Sequence, residues 1–363
     1  MKLAILGNAA VVHTARWVEY FRGRGHEVAL WSLERGPESL GARRLPRWPL
    51  PGALRYPLAA PALARELERF DPDLVNAHFV PNYGVLATLA GRRPRVVAAW
   101  GSDLLVAARR DPLQRARARF VLGRADLVIA DSAGLAAAAR ALGAPSERVV
   151  ELPWGIDLAR FRPAAVREEG LIVSTRMHEP VYDLETVIEA AAKVAHERPG
   201  IRLVVAGDGR RRVTLERLAA ARLPAGRYEF VGRLAPAELA ERLGRAAVYV
   251  SAARSDSTSV SLLEAMACGA IPVVCDLEGN REWVAEGEGA RLFAPGDPAE
   301  AARAIREALD DPAWAATARA RNRRVVETRG DWWANMAWVE RQFESLAARA
   351  RAPGAAGRPA GAR

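Results

Sequence analysis

What most constrains this chain is an alternation repeated along nearly its whole length: short apolar runs rich in Val, Ile and Leu, each followed by an amphipathic stretch of helical length. LAIL precedes a helical pattern over residues 14–24, and HEVAL, DLVNA, RVVAA and DLVIA follow in turn. LIVST, LVVA, YEFV, VYVS and IPVVC repeat the scheme in the second half. Strands this apolar, separated by helices, imply α/β architecture with parallel sheets covered on both faces. In such sheets ligands sit beyond the carboxyl ends of the strands. Residues just after each apolar run are therefore the first candidates for chemistry.

The chain has 363 residues, 50% of them hydrophobic, which is enough for two domains with ordinary cores. No apolar run reaches the length of a membrane span, and the N-terminus reads as a first strand rather than a signal peptide, so a cytoplasmic protein is expected. Cys268 and Cys275 are the only cysteines and no His/Cys cluster has metal spacing, so reduced core thiols and no metal are expected. The net charge of +10 is unevenly spread. Residues 1–165 carry 24 Lys and Arg against 15 Asp and Glu, and residues 166–363 carry 29 against 28. Charge alone suggests nucleic acid, and no DNA or RNA motif supports it.

The densest stretch is residues 251–283, SAARSDSTSVSLLEAMACGAIPVVCDLEGNREW. A strand end runs through small hydroxylated residues into a helix with Leu262, Leu263 and Met266 on one face. Ser257, Thr258, Ser259 and Val260 occupy the start, where backbone N–H groups lack intrahelical partners and an anion would be welcome. Asp256 and Glu264 bracket this turn. Glu264 within an apolar helix calls for a partner such as ligand hydroxyls, while the plainer reading is an Arg partner for Glu264 and a capping role for Asp256.

LLEAMACGAIPVV resembles the corresponding helix and strand of glycosyltransferase family 4, with Asp256 where the family carries the first of two Glu residues. The resemblance extends over residues 1 to about 345. It includes His13-Thr-Ala-Arg-Trp17, the GHEV of residues 25–28, Leu152-Pro-Trp-Gly-Ile-Asp157 with Phe161 and Pro163, and Arg176 after LIVST. Two positions depart from the family: Trp100-Gly-Ser-Asp103 stands where HGSD is common, and Tyr182 where a Lys follows the Arg.

The resemblance implies a GT-B fold: two Rossmann-like, doubly wound parallel-sheet domains facing a central cleft. Residues 1–165 would form the acceptor side and 166–330 the nucleotide-sugar domain. Residues 331–349, with Trp332, Trp333 and Trp338, would form a helix crossing back and burying its tryptophans, and 350–363 a disordered tail. The implied activity is retaining, hexosyltransferase-type, metal-independent transfer from a nucleotide-diphosphate sugar to a hydroxyl acceptor, with no cofactor. Arg176, Asp256 and Trp100 would stand at the reaction centre. Glu264, Tyr182, Ser257, Thr258, Ser259, Val260, Gly232, Gly207, Gly7 and Asn8 would hold the donor, and His13, His78 and Asp103 would face the acceptor. Arg210, Arg211, Arg212 or Arg254 could replace the charge missing at Tyr182. A catalytically inactive GT-B protein that binds sugar nucleotides or glycans is the alternative. A phosphorylase is disfavoured because only Lys2 and Lys193 could carry its cofactor.

Residues 36–61 are rich in Pro, Gly and Arg around Trp48 and Tyr56 and read as a long irregular excursion. With Arg43, Arg44, Arg47 and Arg55 its composition suits a membrane surface or an oligosaccharide, and equally a simple surface-covering loop. A lipid-linked acceptor, such as one used in cell-envelope polysaccharide synthesis, and peripheral attachment to the inner face of an anionic membrane are therefore expected.

Overall fold

The structure, a computed structural model, describes residues 1–352. It divides into two compact units, Met1–Leu152 with Met336 onward, and Pro153–Asn335. The expected tail begins inside a helix, Trp332–Arg351, and its residues 353–363 lie outside the described residues.

In the first unit the apolar runs become seven parallel strands: β1 (Lys2–Leu6), β2 (Glu27–Ser32), β3 (Arg43–Arg44), β4 (Leu74–His78), β5 (Arg95–Ala98), β6 (Leu127–Ala130) and β7 (Val149–Glu151). Their order is β3-β2-β1-β4-β5-β6-β7. The second unit holds six: β8 (Glu168–Ser174), β9 (Arg202–Ala206), β10 (Tyr228–Gly232), β11 (Ala246–Ser251), β12 (Ile271–Cys275) and β13 (Arg291–Phe293). They run in the order β10-β9-β8-β11-β12-β13, again all parallel. Both sheets reverse direction of winding once, at β1/β4 and at β8/β11, and a doubly wound sheet opens its ligand crevice at such a point. Gly7 and His78 lie at the first reversal, Arg176 and the residues after Ser251 at the second.

Residues 153–165, expected on the first domain, pack with the second unit. Ile156 and Phe161 join Leu171, Tyr249 and Leu263 in its core, and the Ile156 backbone bonds to Gly330 and Trp332. Cys268 and Cys275 are free and buried, and burial pushes both thiols up to about 12.

The stretch expected to be irregular contains a helix, Gly52–Phe70, with Pro57 and Pro61 inside it. Tyr56, Ala59, Ala60, Leu63, Leu67 and Phe70 recur at helical spacing and pack on Leu6, Trp31, Leu45 and Tyr83. That apolar face outweighs the hydrogen bonds the two prolines remove. Tyr56 is held inside, donating to Glu34 at 3.2 Å.

The expectation that the last helix buries all its tryptophans holds for Trp332 but fails for Trp333, which is 55% exposed. Adjacent helical residues point about 100° apart. Met336, Val339, Phe343 and Ala347 form the buried stripe, and Phe343 stacks on Phe21 with centroids 5.4 Å apart.

Candidate functional site

In the second unit the site is assembled at the ends of β8, β9 and β11. Arg176, two residues past β8, is 7% exposed. Its Nη1 donates to Ser259 Oγ and Ser261 Oγ, both at 2.6 Å, and its Nη2 to Asp256 at 2.6 Å. Ser261 Oγ also accepts from the Tyr249 hydroxyl at 2.8 Å. Below the guanidinium lies the Tyr182 ring, its centroid 4.3 Å from Cζ. Burial opposes the charge on Arg176, but Asp256, followed by Tyr249 and Tyr182, outweighs it and holds the group protonated above the ordinary Arg range. The sequence placed Arg176, Asp256, Tyr182 and Ser259 around one ligand, and the structure brings all four together, with Asp256 spending one carboxylate oxygen on the Arg.

Helix Val260–Cys268 starts from Ser259, and Ser257, Thr258 and Ser259 are all buried. The amides of Val260 and Ser261, at the very start of the helix, have no carbonyl one turn back, and they lie beside the Arg176–Asp256 pair as hydrogen-bond donors for an anion. Trp283 Nε1 donates to Thr258 Oγ1 at 3.4 Å, and Asn280 Nδ2 to the Cys275 carbonyl at 2.8 Å. A Cβ on Gly279 would lie 2.1 Å from the Ser257 carbonyl oxygen, so only glycine lets this turn brace the Ser257 backbone. Gly279, Asn280 and Trp283 belong to the dense stretch, yet helix and strand patterns alone do not single them out.

Gly207, at φ +122°, packs so closely that a Cβ would meet the Arg176 carbonyl at 2.5 Å. Its amide donates to Gly232 at 2.7 Å. These two glycines let the β9 and β10 ends support Arg176. His178, missed in the sequence, is fully buried beside them against Phe230, with neither ring nitrogen hydrogen-bonded among the described residues. Burial, then Arg212, lowers its pKa. Glu264 is half-buried and helps burial raise the Cys268 thiol.

The four arginines expected to replace the missing Lys are each engaged by an acid. Arg254 meets Asp183 at 2.7 Å, Arg210 meets Glu179 at 2.7 Å, Arg212 meets Glu216 at 2.8 Å, and Arg211 meets Glu185.

In the first unit, His13, His78 and Trp100 form one aromatic group. Trp100 lies edge-on to His13 at 5.5 Å and tilted to His78 at 5.4 Å. His78 bonds to Asn76 Oδ1 at 2.7 Å through Nε2, while its Nδ1, the Trp100 Nε1 and the neighbouring Thr14 Oγ1 are buried without a hydrogen-bond partner among the described residues. Gly7 lies against Thr14 and the Cβ of His78, and the Asn8 side chain accepts from Ala10 N. Burial, then Arg16, lowers the His13 pKa to about 4, and burial, then His13, lowers that of His78 to about 3. Both imidazoles are therefore neutral at pH 7. Asp103, expected to face the acceptor, is fully buried instead. It accepts from the amides of Val80, Trp100 and Leu104 at 3.0–3.1 Å. Burial raises its pKa to about 6, and those bonds make it a clamp that sets the Trp100 turn.

This arrangement can be compared with known proteins. A family model described as "Glycosyl transferases group 1" matches residues 156–325, and one described as "Glycosyltransferase Family 4" matches residues 10–160. The chain belongs to the family 4 glycosyltransferases. The chain is similar to sulfoquinovosyl transferase SQD2 of Arabidopsis thaliana, 28% identical over 81% of this chain. It spans 62% of that relative's length. Similarity to the phosphatidyl-myo-inositol mannosyltransferase of Mycolicibacterium smegmatis is 26% identity over 92% of this chain and 89% of the relative. Among solved structures, sucrose-phosphate synthase from Thermosynechococcus elongatus superposes with TM-score 0.81 at 20% identity, covering 96% of this chain and 99% of that one. HepE of Anabaena in complex with UDP-glucose gives 0.79 at 18%, covering 95% and 100%. These place both sheets of the glycosyltransferase in the GT-B fold.

One departure from the family can be tested directly. In the glycosyltransferase, Tyr182→Lys would restore the family's residue but put an ammonium where the ring now faces Arg176. The expected result is a loss of about 2 kcal/mol in denaturant unfolding, from the missing cation–π contact and the new repulsion, together with lower turnover.

Proposed function

We propose that the protein transfers a sugar from a nucleotide-diphosphate sugar to a hydroxyl acceptor with retention of anomeric configuration and without a metal. The observation that carries this reading is the buried Arg176 set against the start of helix Val260–Cys268 at the sheet reversal. Such a locus suits charge that grows on a leaving diphosphate. The bond from the anomeric carbon to the phosphate oxygen breaks while the bond to the acceptor oxygen forms on the same face, and the acceptor's proton passes to the departing phosphate. Arg176 and the amides at Ser257–Val260 hold that phosphate, Glu264 the ribose hydroxyls, and backbone near Gly232 the base. Asp256 positions Arg176 and reaches the donor sugar. His13, His78 and Trp100 face the acceptor.

The HepE complex makes UDP-glucose a sensible first donor to test. A relative named for mannosyl transfer to phosphatidyl-myo-inositol favours a lipid-linked acceptor. A thermal-shift series with UDP-glucose, GDP-mannose and their nucleotides tests the donor. A ligand at about 100 times its Kd adds about 2.7 kcal/mol. Glu264→Gln is expected to weaken the responding donor's affinity by about 10- to 100-fold, because a neutral amide loses charge-assisted bonds worth about 1.5–3 kcal/mol. Unchanged affinity would remove Glu264 from the ribose. Stabilisation without donor hydrolysis or transfer would favour the inactive binding protein.

A further inference from the structure

The first unit carries an apolar, basic face that the proposed chemistry does not use. Along helix Gly52–Phe70 the outward stripe is Leu54, Leu58, Pro61 and Arg65, spaced four, three and four residues apart. Leu54 is 54% exposed and Leu58 50%, and Trp48, in the turn leading to the helix, is 51% exposed. The Leu50 amide bonds to the Trp48 carbonyl at 2.7 Å, and Arg55 Nη2 to the Leu50 carbonyl at 2.9 Å, which ties this turn to the helix start. Three large apolar side chains within eleven residues are thus left in water although the same helix buries a complete apolar stripe on its other side. A face of this kind marks a contact surface.

Charge identifies the occupant. Residues 41–65 contain five arginines and no Asp or Glu. Arg43 lies over the rings of Trp31 and Phe70, and Arg55 is held by its backbone contact. Arg44, Arg47 and Arg65 are exposed and form no ion pair among the described residues. Other exposed arginines in either unit, such as Arg69, Arg245 and Arg303, do find acids. Unpaired guanidinium groups beside Trp and Leu match a bilayer surface, where phosphates meet the arginines and the apolar side chains enter the headgroup boundary.

We propose that Trp48, Leu54 and Leu58, flanked by Arg44, Arg47 and Arg65, dock this protein on the surface of an anionic lipid bilayer. The purpose of the contact rests on the reading of a lipid-linked acceptor, while its evidence is independent of it. No helix of the described residues is long and apolar enough to cross a membrane, so the contact is a surface one.

The test is co-sedimentation of the full chain with vesicles of phosphatidylcholine alone and with about one-third phosphatidylglycerol, an anionic content at which basic residues gain about 1 kcal/mol each. Binding is expected only with the anionic vesicles, falling as salt rises. Arg44→Ser, Arg47→Ser and Arg65→Ser should each weaken it about fivefold, the fold-change equivalent of that energy. The pair Leu54→Ser and Leu58→Ser should weaken it at least as much while unfolding stability stays within about 0.5 kcal/mol, as for exposed sites generally. Lipids brominated near the headgroup should quench Trp fluorescence in the wild type and less in Trp48→Phe. A protein that stays in the supernatant at low salt overturns the proposal. So does binding that these variants leave unchanged, or binding without quenching at Trp48, which would be plain electrostatic adsorption. Loss of self-association in the Leu variants, with no vesicle binding, would reassign the face to a second copy. Donor binding measured without vesicles reports on the transferase reading alone, so either idea can fail without the other.

Discussion

Arg176→Ala is expected to reduce kcat/KM for sugar transfer by about 100- to 1,000-fold, the range found when one preorganised donor to a developing oxyanion is removed. Most of the loss should fall in kcat, because the charge on the diphosphate grows as the glycosidic bond breaks. The same substitution strips Asp256 of its cation and Ser259 and Ser261 of a shared donor. Removing one partner of a buried pair costs about 3–5 kcal/mol, and the partial exposure of Asp256 places this site toward the low end. Two readouts separate these effects. Asp256→Asn keeps the Arg charge and should cost stability while sparing more turnover than Arg176→Ala does. The double variant should be more stable than the sum of the single losses predicts, since neither charge is left alone. An Arg176→Ala enzyme with normal kcat and a raised KM would assign the residue to ground-state binding and remove it from the proposed chemistry.

Why the sequence revealed Arg176 and Asp256 but not the bond between them is a matter of range. Parallel strands buried on both faces leave unbroken apolar runs, so β8 and β11 were legible, and with them the residues just beyond their ends. The Arg176 to Asp256 bond joins residues 80 apart, and no local pattern reports such a contact. Tyr182 carried the same difficulty: as a replacement for Lys it looked like a lost charge, whereas in space its ring is the floor beneath the guanidinium. The four arginines that could have served as substitutes are each paired with an acid, three of them with one distant in sequence, which only coordinates could show. Helix Gly52–Phe70 was hidden for the opposite reason. Pro57 and Pro61 are strong local breakers, and the apolar spacing from Tyr56 to Phe70 that overrides them is legible only when given more weight than the prolines. Asp103 shows that a motif can be found at the right place with the wrong role, because a carboxylate bound by three amides serves its own turn.

The second large effect is expected at Glu340, which no sequence pattern marked. Within the first unit this buried carboxylate accepts from the Tyr20 hydroxyl at 3.0 Å, Arg24 Nε at 3.1 Å and His26 at 2.8 Å. His26 Nδ1 in turn lies 3.1 Å from the N-terminal amino group. Glu340→Ala removes the carboxylate that accepts from the Tyr20 hydroxyl and from His26. It should lower unfolding stability by about 3 kcal/mol, with little of that from Arg24, whose side chain is 59% exposed. Hydrogen exchange along Trp332–Arg351 should accelerate in the variant, while exchange in β8 to β13 stays as in the wild type. The pH dependence has a definite sign. Burial raises the Glu340 pKa, but the bonds from His26, Tyr20 and Arg24 outweigh it and bring it below the ordinary 4.5. A carboxyl lowered on folding contributes stability that is fully present above its unfolded value and is lost as pH falls through its folded one. The gap between wild type and Glu340→Gln, measured by denaturant unfolding, should therefore be present at about pH 5 and close below about pH 4. Tyr20 gives a second check. Burial, then the Glu340 bond, raises its pKa to about 12, and Glu340→Gln should bring it back toward 10 in a spectrophotometric titration. A gap that persists undiminished in acid would mean that Glu340 holds the helix by shape and packing, and that its charge contributes nothing.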